Sequence, residues 1–402
     1  MQDVIAVDTE TVRDNAPYSV QWSGRPGQAS VTLAAGEGPA LRALRDKLES
    51  PSTLTVVHNA LFDVPVLHQL NIHPHTVADT MVMAYLLGEN SIGLKVLAHR
   101  YCGMDMREYT DVVKGPADRK ALQYLTAVAA ADWPDPDGVV EIRPDGSQHV
   151  RWPQNIKTKT LKLLKKFSAD PTIDLRDKWR GMDGREAVST AMGEMEPGWL
   201  DEVPVPEFIQ YACADADATI RLYPLLWARI QEQHLEDVFW LDMGVVPIVT
   251  DMMETGMLID KAHFHTLQEE FDEKAEAVLE RIEDIGGHYI NPGSPKQVLA
   301  ALTARGLHLN STDASELDAH RGDDLVRAIQ DYRAYRKLNS TYIAVLPGLA
   351  DRSGRVHTRL SITRTATGRL ASSEPNLQNQ PVRSEDGRRI RQGFIAERSD
   401  SG

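Results

Sequence analysis

The chain opens with an apolar run, Val4-Ile5-Ala6-Val7, that stops abruptly at Asp8-Thr9-Glu10. Small and β-branched residues in a run of this length predict a buried strand. Side chains two apart in a strand share a face, so Asp8 and Glu10 leave its end on the same side. Tyr18 to Ser23 and Ala29 to Leu33 read as two further strands around Gly24-Arg25-Pro26-Gly27. Apolar positions at helical spacing predict helices over 38–48, 60–70, 79–87, 93–101 and 119–131, with a strand at Thr53 to Val57 before the second of them. Asp63 falls in the first turns of the 60–70 helix, directly after that strand. Asp79 reads as the N-cap of the next helix, which Gly88 closes. Val139 to Trp152 has the pattern of a strand pair around Pro144-Asp145-Gly146-Ser147. Residues 168–206 lack periodicity and read as an irregular connection. A strong helical pattern returns over 207–230, and there Tyr211 and Asp215, four apart, lie on one face. Asp217 points elsewhere and reads as an exposed helix charge.

Beyond Leu235 the alternation of strands and helices stops. Asp260 caps a long helix with Phe264, Leu267, Phe271, Val278, Ile282 and Ile285 along one side and Gly286-Gly287 at its end. Ser294-Pro295 starts a second helix that ends at Gly306. A third is predicted over Asp324 to Leu346, and a strand over Arg355 to Leu360, followed by a loop rich in Thr, Ser, Asn and Arg.

A length of 402 residues suits two or three domains. No apolar run is long enough to span a bilayer, and the N-terminus lacks the basic-then-apolar pattern of a leader, so a cytoplasmic location away from membranes is expected. Two cysteines, Cys102 and Cys213, are too few for a disulfide framework or a four-ligand zinc site and read as packing residues. The net charge of −14 argues against a general nucleic-acid binder. Its distribution changes that reading: Arg355 to Gly402 holds nine arginines against five acidic residues, a net of +4, which leaves −18 on the rest. The lysines of 157–167 (Lys157, Lys159, Lys162, Lys165, Lys166) read as a solvated helix face, with a DNA-facing patch as the alternative.

The chemistry sits in the carboxylates that these elements place at strand ends and helix starts: Asp8, Glu10, Asp63 and Asp215. Four carboxylates brought together repel one another, so a fold that gathers them relies on cations to compensate. Oxygen ligands without Cys or His select Mg²⁺ or Mn²⁺ over zinc. Two such ions can hold the attacking and leaving oxygens of a phosphodiester.

Val7-Asp8-Thr9-Glu10, His58-Asn59-x-x-x-Asp63 and Tyr211-x-x-x-Asp215, in that order, resemble the three exonuclease motifs of the DEDD superfamily in its tyrosine subclass. The histidine subclass has His five residues before the last Asp, where this chain has Gln210. The resemblance implies an α/β fold, a ribonuclease H-like mixed sheet flanked by helices. It further implies that Asp8, Glu10, Asp63 and Asp215 bind two Mg²⁺ (or Mn²⁺), and that Tyr211 orients or helps deprotonate the attacking water. Asn59 and Thr9, inside the motifs, are expected substrate contacts.

Thr365-Ala-Thr-Gly-Arg369-Leu-Ala-Ser-Ser-Glu-Pro-Asn376-Leu-Gln378-Asn379-Gln-Pro-Val-Arg383, with Gly387-Arg-Arg-Ile-Arg391-Gln-Gly-Phe394, resembles the start of the palm in family-A DNA polymerases. Residues 247–350, with Met253-Glu254-Thr-Gly256 and Asn291-Pro-Gly-Ser-Pro295, resemble that family's link and mainly α-helical thumb. The implied DNA contacts are Arg364, Arg369, Asn376, Gln378, Asn379 and Arg383, whose side-chain types can donate to the acceptors that every base pair shows in the minor groove. The expected layout is an exonuclease domain at 1–235 with an insertion at about 114–200, a link and thumb at 236–350, and an incomplete palm at 351–402. The chain stops at Gly402, before the first metal-binding Asp of that family's palm, so polymerisation is not expected from this chain alone.

The expected function is Mg²⁺-dependent 3′-5′ proofreading on DNA, with a single-stranded 3′ end and primer-template as partners. The alternative is the primer-template-binding half of a split polymerase that a second polypeptide completes. An exonuclease start at residue 1 is a phage-like feature, which would place the protein in a bacterial host's cytoplasm.

Overall fold

The computed structural model describes residues 3–113, 199–381 and 384–397, apart from 35 and 37, together with strands at 140–142 and 148–150. The helix expected over 119–131, the lysine-rich 157–167 segment, most of the irregular connection and Arg383 lie outside these residues. The two strands pair antiparallel, Val140 opposite Val150, as their turn signal predicts. The chain divides into two compact units, one ending at Val246 and the other starting at Pro247, a division that falls inside the helix Glu236–Thr255.

The first unit is built on a five-stranded mixed sheet in the order β3-β2-β1-β4-β5, with β1 Asp3–Thr11, β2 Pro17–Ser23, β3 Ala29–Leu33, β4 Thr53–Val57 and β5 Val77–Asp79. The first three strands form an antiparallel meander, and β4 and β5 run parallel to β1. Every residue of β4 is buried, as its unbroken Thr-Leu-Thr-Val-Val run requires of a parallel strand covered on both faces. β5 is absent from the sequence reading because three residues are too few to show a period; its backbone hydrogen bonds to β4 define it.

Helix α1 (Pro39–Leu48) buries Leu41, Leu44 and Leu48, spaced for one face. Helices α2 (Ala60–Gln69), α3 (Thr80–Leu86) and α4 (Leu94–Cys102) follow, close to their expected bounds. The long helix α5 (Val205–Glu232) lies against β1, β2 and β3, where Phe208, Ala212, Ala216 and Ile220 are buried. Asp217 departs from its reading as an exposed charge. Its carboxylate accepts from the Gly27 amide and pairs with Arg221 at 2.9 Å, fastening the β2–β3 turn to α5.

In the second unit the helix Lys261–Gly286 begins where Asp260 accepts from the His263 amide at 3.0 Å and ends at Gly287 in the left-handed conformation. It packs on Asp324–Leu338, with Phe271 and Tyr335 edge to face at 5.7 Å. The single helix expected to Leu346 does not form: Asn339–Ile343 widens into a π turn and a short helix follows at Leu346–Leu349. Asn339 donates to Asp272 at 2.7 Å and Tyr342 donates to the Asn379 carbonyl, and the wider turn lets both reach their partners. The strand expected over Arg355 to Leu360 is two, Arg355–Val356 and Arg359–Ser361, paired to different partners. They are separated by His357, bonded to the Met253 carbonyl, and Thr358, bonded to the Pro375 carbonyl.

A Cβ at Gly393 would stand 2.5 Å from Phe264 Cε2, on a ring that is fully buried. Gly393→Ala is therefore expected to cost about 1–3 kcal/mol of stability, seen as a lower midpoint for the second unit in thermal or denaturant unfolding. Among the described residues no helix is long and apolar enough to cross a membrane.

Candidate active site

The site is assembled at the C-terminal end of β1. The antiparallel register sets Asp8 opposite Gln21 and Glu10 opposite Ser19, so the two carboxylates share one face of the sheet with a row of buried polar residues. Helix α5 brings Asp215 to them. One carboxylate oxygen from each of Asp8, Glu10 and Asp215 lies within 4.8 Å of the other two. At an effective dielectric of about 20, two unit charges at about that separation repel by about 3 kcal/mol.

That repulsion, added to burial, governs the proton affinities of the set. Asp8 is pushed well above the ordinary carboxylate range by burial, then by Asp215, Asp63 and Glu10. Glu10 rises to about 8, from burial and then from Asp215 and Asp63. Asp215 rises to about 6 through burial. Asp8 Oδ2 and Asp215 Oδ1 are buried and take no hydrogen bond among the described residues. Oxygens withdrawn from water without a donor cost free energy unless something positive meets them. The orphaned oxygens and the all-carboxylate donor set fit a hard divalent cation.

Asp63 stands outside the tight group. Its Oδ1 accepts from the Thr9 amide at 3.0 Å and the Thr9 hydroxyl at 2.7 Å, yet its charge is felt by both Asp8 and Glu10. Burial lifts its own pKa to about 8, against the pull of the Thr9 hydrogen bonds. The Thr9 side chain is buried and hydrogen-bonded to Asp63, which it holds in place. Asn59 is exposed, at a left-handed corner with φ 94° between β4 and α2, a conformation that Asn tolerates better than most residues.

That corner is fixed by Asp79. Its Oδ1 accepts from the Asn59 amide at 3.0 Å and the Met81 amide at 2.7 Å, and its Oδ2 accepts from the Ala60 amide at 2.7 Å. The cap read from the sequence is present, and the same carboxylate also ties down the start of the helix that carries Asp63. Its neighbour His58 is buried, with Nε2 at 2.9 Å from the Ile92 carbonyl and Nδ1 at 2.8 Å from the Thr80 hydroxyl. Burial lowers its pKa, and the ring packs the corner.

Tyr211 is one turn before Asp215 on α5, with its body among Val112, Val113, Leu200 and Phe208. Burial, followed by the charges of Glu10, Asp215 and Asp8, pushes the pKa of its hydroxyl upward. Lys95, which the sequence reading passed over, lies 5.3 Å from the Tyr211 ring centroid and 3.3 Å from Glu108.

The proposed DNA contacts belong to the second unit. Arg364 and Arg369 are exposed. The Asn376 side-chain oxygen Oδ1 accepts from the Gln378 and Asn379 amides, while the Gln378 side chain accepts from Ser372 N and donates to the Leu370 carbonyl. These two side chains tie the loop's own backbone together and, like the arginines, are exposed.

A mixed sheet with a buried acidic cluster at the end of its first strand places the chain among ribonuclease H-like folds with a carboxylate centre. Comparison with known proteins sharpens the class: residues 1–132 match the 3′-5′ exonuclease family model and residues 261–401 that of DNA polymerase family A. A DNA polymerase I of Pseudomonas aeruginosa is 36% identical over 98% of this chain and 38% of its own length, and one from Treponema pallidum is 40% identical over 55% of this chain and 24% of its own. The chain thus spans between a quarter and two fifths of these relatives. A structure described as the POL domain of Pol1 from M. smegmatis, in complex with DNA primer-template and dNTP, shares the fold with a TM-score of 0.62 at 23% identity, over 97% of this chain and 54% of that one. The chain thus matches a 3′-5′ exonuclease domain followed by the start of a family A DNA polymerase domain. The exonuclease match stops at residue 132, so the approach of Tyr211 and Asp215 to Asp8 and Glu10 is a contribution of the fold.

Proposed function

We propose that the first unit is a 3′-5′ exonuclease that removes nucleotides from DNA primer ends, with Asp8, Glu10, Asp63 and Asp215 holding two Mg²⁺ or Mn²⁺ ions. The observation that carries this reading is the convergence of three carboxylates, two of them with a buried, unbonded oxygen, in a chain that matches an exonuclease family. Divalent cations bound there would polarise the phosphodiester and favour hydroxide over water. The protein's own groups set the geometry. Thr9 and Asp79 hold Asp63, the β1 pleat aims Asp8 and Glu10, and α5 supplies Asp215. Tyr211, its hydroxyl among the charges of Glu10, Asp215 and Asp8, orients or helps deprotonate the attacking water.

The second unit is read as link, thumb and first part of the palm, with Arg364, Arg369, Asn376, Gln378 and Asn379 as contacts to duplex DNA and Arg383 as a further one by sequence alone. Arg369→Ala is expected to weaken primer-template binding, measured by fluorescence anisotropy, while single-strand degradation stays within about twofold. Equal losses in both would remove Arg369 from a duplex-binding role.

The direct test of the nuclease is release of the terminal nucleotide from a 3′-labelled single strand, with Mg²⁺ and after chelation. Tyr211→Phe keeps the ring and removes the hydroxyl. Its rate is expected to fall about 10- to 100-fold with unchanged unfolding behaviour, and an unchanged rate would take Tyr211 out of the mechanism.

A further inference from the structure

We propose that Lys95 is a positioning residue for the exonuclease: clamped between Glu108 and the face of Tyr211, it fixes the direction in which the Tyr211 hydroxyl points. The inference rests on the exonuclease reading above and adds a residue to it. Lys95 stands in the first turn of α4, two residues before Leu97 and three before Ala98, both buried where α4 packs on α5. The helix contact therefore sets where its side chain starts. From there the ammonium reaches 5.3 Å from the Tyr211 centroid, inside cation–π range, and its other side meets Glu108 at 3.3 Å.

Glu108 is largely exposed, and an ion pair of that kind contributes little by itself. The contact with the ring carries more consequence. The buried cluster around Tyr211 holds the body of the ring, with Val112, Val113, Leu200 and Phe208 presenting only hydrocarbon and Tyr18 and Tyr109 packed against them. A cation on the π face resists tilting of the ring away from it. The phenol oxygen lies on the ring axis, so resisting tilt keeps the hydroxyl among the charges of Glu10, Asp215 and Asp8. Lys95 is also a positive charge that Asp8, Glu10 and Asp215 all sense, in a site otherwise built of carboxylates.

A double-mutant cycle on the full chain separates this role from simple packing. Lys95→Met keeps the aliphatic stem and removes the charge. It is expected to lower the single-turnover release rate about tenfold with KM little changed. Lys95→Arg, which also lies well on an aromatic face, is expected to recover about half of the rate or more. In a Tyr211→Phe background, Lys95→Met is expected to change the rate by less than about twofold, because the hydroxyl it positions is gone. A full, multiplicative loss in that background would overturn the proposal.

The ring is also read without activity, by ¹⁹F NMR of the protein labelled with 3-fluorotyrosine and assigned through Tyr211→Phe. Lys95→Met should shift the Tyr211 resonance and Lys95→Arg largely restore it. An unmoved resonance would overturn the contact. A moved resonance in a chain whose native form releases no nucleotide would sink the exonuclease reading and the catalytic role of Lys95 with it, while the contact itself stood.

Discussion

Asp8→Asn is expected to reduce nucleotide release by about a thousandfold or more and, in the same molecule, to make the cation-free protein more stable above neutral pH. Asparagine has nearly the shape of aspartate, so the β1 register and the packing beneath it survive. What disappears is one of three charges whose oxygens crowd within 4.8 Å. An anion bound by cations cannot be replaced by an amide, and hard cations discriminate strongly against the exchange. Without cations the same anion is a liability, pushed toward its protonated form by burial and by Asp215, Asp63 and Glu10. The gain should appear as a rise of about 2–4 °C in the unfolding midpoint of the first unit for each kcal/mol of repulsion relieved, measured in chelator at pH 8. Retained activity would remove Asp8 from the site, and a lower midpoint in chelator would refute the electrostatic account.

That pairing of lost function with gained stability marks which parts of the site the sequence could show. Asp8 and Glu10 were legible because strand geometry has a period of two, and Tyr211 and Asp215 because a helical turn returns near residue four. Both are local rules. The structural parts of Thr9, Asp79 and Lys95 were not legible because they are set by partners far along the chain: Thr9 meets Asp63, Asp79 reaches back to Asn59 and Ala60, and Lys95 meets Tyr211. A Thr between two carboxylates shows its own exposure pattern but not what it bonds. Asp217 was misread for the same reason, since the amide it receives belongs to Gly27.

The fold divides along the same line. Capped amphipathic helices such as Lys261–Gly286 were legible to within a residue or so, because Asp260, the apolar stripe and Gly287 are all local signals. The end of Asp324–Leu338 was not, since apolar spacing continues through Tyr342 and Val345 while the backbone yields to Asn339 and Tyr342, whose partners are Asp272 and Asn379. β5 exists because β4 offers it a parallel edge, a fact about β4.

The cation-free first unit should lose stability as pH rises from about 4 to about 8, the reverse of the usual carboxylate contribution. Unfolded Asp and Glu titrate near 4, whereas in the fold Glu10 and Asp63 are lifted to about 8 and Asp215 to about 6. Between those values the folded state binds more protons than the unfolded one, so stability falls with increasing pH. Their contribution is fullest below about 4, where both states are protonated, and fades as pH passes 6 for Asp215 and 8 for Glu10 and Asp63. Divalent cations invert the dependence, because they bind only the ionised set. At a hundred times its dissociation constant, a cation stabilises the fold by about 2.7 kcal/mol. The difference between midpoints with Mn²⁺ and with chelator should therefore be small at pH 5.5, where protons compete, and large at pH 8. Asp63→Asn and Asp215→Asn should each flatten both curves. An equal cation effect at the two pH values would mean that the carboxylates are ionised without cations, and that the repulsion argued for them is relieved by something else.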